Sequence, residues 1–308
     1  DMPPEDEPQL SEMERVKLLA ALKTQLRTAT IGSKVKHSRI RRLNRFQYNN
    51  AVRDLFGLNR DVFGLPEKLM TRQGNYLHSK KMPDRVNVSS FALKPKVGLQ
   101  GVRAFPKDLR ASHGFDNQAN QLTLSPLLLD AFLRLSVSIL ESPDFNEGNV
   151  GIWNEFFKEP AADANMEAEV RKRLGPFLLR AFRRPVDREV LERYTTYTLS
   201  KIKQGLSFTA SMKKVASAAL SSPMFLYRYG SANEKADLFT LASNLSFFFW
   251  ASSPDLSLLG LAKSGELSKP EVLNKTINRM MADAKIERFL DTFPSQWMQL
   301  ENVLAATP

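Results

Sequence analysis

The sequence predicts a mainly α fold, an irregular multi-helix bundle with long loops in the first half. Three observations predict it. Apolar residues recur at helical spacing through the second half, capping residues stand ahead of those runs, and strand alternation is weak throughout. With 308 residues, 43% hydrophobic and 25% charged, the chain can bury several cores and is no disordered or fibrous polymer.

Residues 1–9 are acidic, proline-rich and extended, and carry no secretory leader pattern. Ser11 and Glu14 have the spacing of a capping box for a helix over 11–26, with Val16, Leu19, Ala20 and Leu26 as its buried stripe. A basic connector over 31–42 follows. Asn44 and Gln47 make a second capping box, for a helix that turns Phe46, Ala51, Val52 and Leu55 inward and stops at Gly57. Residues 58–121 lack a helical period and read as loops, short turns and a small hairpin.

Ser125 and Pro126 open a helix to about Glu141, with Leu128, Leu129, Phe132, Leu133, Leu135 and Val137 expected to be buried. Further helices are expected over 174–182 (its start delayed by Gly175 and Pro176), 185–202 (Pro185 in its first turn), 208–220, 237–251 and 255–263. Residues 223–229 form a short extended or helical piece. Ser268 and Glu271 form a third expected capping box, and Pro294 bends a last helix over 284–300.

Composition excludes several chemistries. With 0 Cys the chain holds no disulfide, thiolate zinc site, iron–sulfur cluster or covalently attached c-type haem. The 3 His, at 37, 78 and 113, are too few and too scattered to favour a multi-histidine metal centre, and Glu5, Asp6 and Glu7 are consecutive rather than spaced as calcium ligands. No metal site is expected. Phosphate-loop, dinucleotide and nucleophile-elbow motifs are missing, and no apolar run reaches 18 residues.

The formal charge of +11 suits an anionic partner. Arg39, Arg41, Arg42 and Arg45, after Lys34, Lys36 and His37, have the makeup of a phosphate-neutralising run and equally of a connector with structural arginines. No DNA-binding or base-stacking motif accompanies them, so nucleic acid is disfavoured. Asp54 is a candidate partner for Arg42.

Around Gly114, His113 and Asp116 are the candidate acid–base pair, because imidazole titrates near neutrality and a carboxylate can fix its tautomer. The same residues read as a polar turn, in which Asp116 or Asn117 accepts backbone N–H groups and Gly114 supplies an unusual backbone angle. Arg42, Arg45, Arg53 and Asn117 are the candidate binding residues, for an anionic polysaccharide on the enzymatic reading. Phe247, Phe248, Phe249 and Trp250 read as core, with sugar stacking as the alternative; Trp153, Phe225, Tyr227, Tyr229 and Trp297 share that ambiguity.

Four motifs together resemble a known family. The first is Arg42, Leu43, Asn44, Arg45 and Phe46, continued by Tyr48, Asn49, Asn50, Ala51, Val52, Arg53, Asp54, Leu55, Phe56 and Gly57. Gly114, Phe115, Asp116 and Asn117, then Leu122 to Pro126, form the second. Ala181, Phe182, Arg183, Arg184, Pro185 and Val186 form the third, and residues 221–229 with 241–252 the fourth. In this order they resemble large secreted multi-module proteins of planctomycetes and related marine bacteria, of unknown function and often cytochrome c-linked. Residues 62–104 are the least typical.

Met2, Pro3 and Pro4, with the helix after Ser11, resemble the C-terminal end of a class I cytochrome c domain, whose axial methionine stands at the place of Met2. The resemblance implies a cytochrome c remnant over 1–30 and helical modules over 38–160, 165–230 and 231–308, in a piece of a longer polypeptide. It implies a periplasmic or secreted location, and c-type haem in a parent or partner domain rather than in this chain. It also suggests that Arg45, Asn49, Asn50 and Arg53 form a structural network anchoring the segment of Asp116 and Asn117.

Two function classes follow. One is a helical module of a cytochrome-associated redox or polymer-processing protein. The other is a hydrolase or lyase acting on an anionic polysaccharide.

Overall fold

The computed structural model describes residues 11–32, 40–65, 97–108, 114–118, 122, 125–229 and 237–298. The chain divides into two compact units, Asp1–Ser38 and Arg39–Pro308.

The first unit contains helix α1, Glu12–Gly32. Its capping box closes: Glu14 Oε2 accepts from Ser11 N at 2.9 Å, and Ser11 Oγ accepts from Glu14 N at 3.3 Å. The expected buried stripe is not found, since Val16, Leu19 and Ala20 are exposed, as are Met13, Leu18 and Leu22. The side chain of Leu26 lies outside the described residues. Among the described residues of this unit no second element accompanies the helix to cover it.

The second unit is built around helix α2, Arg45–Phe56. Strand β1, Arg41–Arg42, leads into it and pairs antiparallel with β2, Tyr227–Arg228. Asn44 Oδ1 accepts from Gln47 N at 2.9 Å and Gln47 returns the bond, so this capping box also forms. At the other end Gly57 takes φ 64°, and its carbonyl accepts from Gly151 N at 3.1 Å. A Cβ on Gly57 would sit 3.2 Å from the Gly151 Cα, so both the angle and the close approach require glycine.

Helices α3 (Pro126–Glu141), α4 (Met166–Phe182), α5 (Arg188–Lys203) and α6 (Phe208–Leu220) share one core with α2. Helix α2 meets α3 through Tyr48 and Phe132 and α4 through Phe56 and Phe177, while α6 packs on α3 and α5 and α5 packs on α4. A π-helical turn, Trp153–Phe157, and the four-residue α7, Pro223–Leu226, complete this core. Phe56 meets Phe145, Phe157 and Phe177 with ring centroids 5.1–6.0 Å apart. A second, smaller core holds Trp250, Leu258, Leu267 and Met280 between α8 (Leu238–Phe249), α9 (Leu256–Ser264) and α10 (Pro270–Ala282). Helix α11, Glu287–Trp297, follows a short 3-10 turn, Ala284–Ile286.

Several expectations are corrected. Helix α4 starts at Met166, well before Leu174, and runs straight through Gly175 and Pro176. Asn165 caps it, Arg171 and Arg173 reach back to Glu167 and Glu169, and buried Val170 and Leu174 anchor it. Together these outweigh a proline that costs about 3 kcal/mol in a helix interior. Pro185 lies outside α5, which is capped at Asp187.

Ser268 caps no helix. Its hydroxyl donates to Gly265 O at 2.7 Å, and α10 begins after Lys269 with Pro270 in its first turn. In α3 Phe132 and Leu135 are buried, but Leu129, Leu133 and Val137 are exposed, because α6 covers only one side of that helix. Between Leu58 and Leu122 no hairpin forms among the described residues. The ladder joins β1 to β2, distant in sequence and two residues each.

The Tyr48 ring is enclosed by Phe63, Phe105, Phe132 and Phe225, and its hydroxyl is buried without a partner among the described residues. A buried unpaired hydroxyl is costly, so Tyr48→Phe is expected to leave stability unchanged or raise it by about 1 kcal/mol. Urea unfolding checks this. A clear loss of stability would mean that the hydroxyl is satisfied.

Candidate functional site

Of the sequence candidates, Arg42, Arg45 and Asp116 lie at the N-terminal end of α2, whereas Arg53 stands in its last turn. Asn44, already the cap, donates through Nδ2 to Asp116 Oδ1 at 3.0 Å. Gly114 has φ 92°, the left-handed backbone expected of it. Asp116 thus accepts a side-chain amide among the described residues. Asn117 is half-buried beside it, and the Phe115 ring lies 5.8 Å from that of Phe293 on α11. His113 lies outside the described residues, so its distance to Asp116 is not part of this geometry.

Arg42 does not pair with Asp54. Its side chain is fully enclosed, with the guanidinium 5.5 Å from the ring centroids of both Phe105 and Phe132. Nη2 meets Asp108, and Nη1 donates to Leu43 O at 2.9 Å. Arg45 donates through Nε to Phe105 O at 2.6 Å. Arg53 pairs with Asp61 at 2.8 Å. Beside it, Asn49 accepts from Val62 N at 2.8 Å and donates to Asp61 at 3.3 Å. The arginines and amides of the first motif thus tie the irregular segments at 58–65, 105–108 and 114–116 to α2.

Asp108 was not a sequence candidate, and nothing in its surroundings marks it: it stands in a loop after Pro106 and Lys107. Burial pushes its carboxyl above the ordinary value. Arg42 pulls the other way without overcoming this, and nearby Asp116 adds to the rise. Two carboxylates, two arginines and an amide therefore meet at this helix end. Such a set can hold a proton on Asp108 more readily than on a free aspartate, the behaviour of a carboxylate with a like charge beside it.

Asp54, on the same helix, behaves oppositely. Its two oxygens accept from Arg288 Nη1 and Nη2, each at 2.8 Å, and Lys285 Nζ lies 3.5 Å away. Burial disfavours its charge, but Arg288, with Lys285 and Ser252, outweighs that, and the carboxyl sits below the usual value.

The third motif acts as a joint. Arg183, at φ 63°, ends α4 and is buried. Its guanidinium donates to the carbonyls of Ala181, Phe225, Met224 and Tyr227 at 2.6–3.3 Å. Arg184 reaches Asp237 and Thr240 at the start of α8. Of the aromatic run, Phe247 and Trp250 are buried while Phe248 is exposed. Phe289, Phe293 and Trp297 stack along α11 with centroids 5.1 and 5.9 Å apart, and Trp297 is exposed. Among the described residues no group of three or more metal-ligating side chains forms, and no helix is long and apolar enough to cross a membrane.

Three family models match the chain in series. PSD3, a protein of unknown function (DUF1587), matches residues 41–69 and 96–142. PSD5, a protein of unknown function (DUF1595), matches 169–229, and PSD4, a protein of unknown function (DUF1592), matches 237–308. No curated protein and no solved structure matches the chain. The Asp54–Arg288 pair thus joins the first matched segment to the third.

Asp54→Asn leaves Arg288 without its counter-charge and is expected to cost about 3 kcal/mol at neutral pH. A carboxyl held below its ordinary value of 3.8 stabilises the fold above that value and stops doing so as the pH falls through its folded pKa. The gap between wild type and Asp54→Asn in urea unfolding should therefore be wide at neutral pH and shrink well below pH 3.8.

Proposed function

Since the chain belongs to the planctomycete-type family of cytochrome c-associated multi-module proteins of unknown function, we propose that it is a non-catalytic helical module of a periplasmic or secreted protein. On this reading redox or polymer-processing chemistry resides elsewhere in the assembly, with c-type haem in a parent or partner domain. The modules of this chain, 38–160, 165–230 and 231–308, act as the scaffold.

The observation that carries the reading is how the side chains of the first motif are used. Arg42 is enclosed between two phenylalanine rings, Arg45 and Arg53 hold loop segments, and Asn44 binds Asp116 as well as its own helix. These groups are taken up largely by one another, with Arg42 Nε and Asp108 Oδ2 buried and unpaired among the described residues, and that use suits a framework rather than a substrate cradle. The cytochrome c remnant over 1–30 belongs to the same proposal. Its Met2, Pro3 and Pro4 lie outside the described residues, while the uncovered apolar side chains of α1 suit a helix that packs against a further domain.

The intact parent protein should stain for covalent haem and give the absorption bands of a c-type cytochrome. An intact parent without haem would remove the redox link. The purified chain should turn over neither sulfated nor uronate-rich glycans. Turnover abolished by both His113→Ala and Asp116→Asn would instead establish the hydrolase or lyase reading.

A further inference from the structure

Asp54 and Leu55 of α2, Arg180 of α4, the turn from Ser253 to Leu256 and Lys285 line a cleft of about 290 Å³. It lies where segments matched by all three family models meet. Its volume is at the lower end of the roughly 300–1,000 Å³ of ligand pockets, so it suits one small molecule.

The charged groups around it differ in how fully they are engaged. Asp54 is occupied by Arg288 and Lys285. Asp255 is occupied by Arg279 at 2.7 Å, and it also caps α9 by accepting from Leu258 N at 2.8 Å. The lining thus holds two carboxylates and two cations, Arg180 and Lys285, and both carboxylates are engaged by other groups. Glu155, exposed, is the other acid within electrostatic reach of Arg180.

Arg180 is the cation left over. It makes one hydrogen bond among the described residues, from Nη2 to Asp54 O at 3.0 Å, and that acceptor is a neutral backbone carbonyl. A guanidinium has five N–H donors in a planar fork, so the rest of the fork is unengaged. Burial works against its charge. A half-buried cation without an ion-pair partner is a position at which an anion is rewarded.

The opposite wall adds a second, independent feature. Ser253 Oγ is buried and has no partner among the described residues. Two residues earlier Ala251 holds φ 47°, a left-handed angle that a residue with a Cβ adopts at a cost. The turn is fixed there by Ser252 Oγ, which donates to Asn50 O at 3.2 Å, and by Trp250 Nε1, which donates to Met280 O at 3.1 Å.

We propose that this cleft is a binding site for a small oxyanion, with Arg180 as its charge partner and Lys285 as a further donor. A carboxylate, a sulfate and a phosphate share the chemistry that this lining recognises.

Calorimetric titration of the purified chain at low salt tests the site, with potassium sulfate, potassium phosphate, sodium D-glucuronate and, as the neutral control, D-glucose. At least one anion should bind with one-to-one stoichiometry and glucose should not. Preference for glucuronate identifies a sugar carboxylate as the ligand class, and preference for sulfate or phosphate an inorganic ion. Arg180→Gln should weaken binding by about tenfold or more, and Glu155→Gln should strengthen it.

Absence of binding by all three anions at millimolar concentration overturns the proposal, as does unchanged affinity in a folded Arg180→Gln variant. If that variant does not fold, phenylglyoxal labelling of Arg180 in the wild-type chain decides, followed by peptide mass spectrometry. A saturating anion should slow labelling of Arg180 relative to exposed arginines such as Arg193, and labelling at an unchanged rate overturns the proposal.

Discussion

Helix α2 is enclosed on every side, and the rest of the second unit is arranged to satisfy that enclosure. None of its twelve residues is exposed. An apolar helix in that position would need only packing. This one carries Gln47, Asn49, Asn50, Arg53 and Asp54, and each buried polar group needs a partner inside the protein. The partners come from far along the chain: Val62 and Asp61 for Asn49 and Arg53, Arg288 for Asp54, and Ser252 for the carbonyl of Asn50. The described loop segments at 58–65, 105–108 and 114–116 are irregular because they follow these side-chain donors and acceptors rather than a ladder of their own.

Two arginine–aspartate pairs show how the same chemistry gives opposite results in different surroundings. Arg42 sits between rings and Asp108 faces Asp116, so burial and a like charge prevail and the carboxyl is raised. Arg288 grips both oxygens of Asp54 with Lys285 behind it, so attraction prevails and the carboxyl is lowered. The first pair closes a core, and the second fastens α11 and the 3-10 turn to α2. Arg183 fastens a third joint without any carboxylate, by turning its donors on four carbonyls that would otherwise end a helix and a short strand unpaired.

What was legible in the sequence was what depends on neighbours along the chain. The Ser11 and Asn44 capping boxes, the Ser125 cap with Pro126 and the stop at Gly57 each need only residues within one turn, and each stands where the spacing placed it. The helical class followed from the same local signals. The network expected of Arg45, Asn49, Asn50 and Arg53 was assigned to the segment of Asp116 and Asn117, whereas Arg45 bonds to Phe105, Asn49 to Val62 and Asp61, and Arg53 to Asp61, and it is Asn44 that holds Asp116. What was not legible depends on distant partners. Glycine and proline at 175 and 176 argued for a late start to α4, yet Asn165 and the buried Val170 and Leu174 decided it. The apolar side chains of α3 gave no hint of which face α6 would cover. Asp54 and Arg288 are 234 residues apart, and no local pattern pairs them.

The net charge of +11 also changes meaning in three dimensions. Counted along the chain, it suggests a basic surface and an anionic polymer. In the fold, Arg42 and Arg183 are sealed within cores, and Arg288 and Arg53 are committed to aspartates. Basic runs that look like a ligand patch in sequence are thus divided among the joints of the framework. A cation counts toward recognition only if its donors remain unspent, and by that measure Arg180 differs from its neighbours. It follows that affinity for an anion in this part of the molecule is set by one guanidinium in a confined cleft rather than by summed surface charge. Such binding is selective for size and only weakly screened by salt, whereas attraction to a basic surface falls steeply as salt rises.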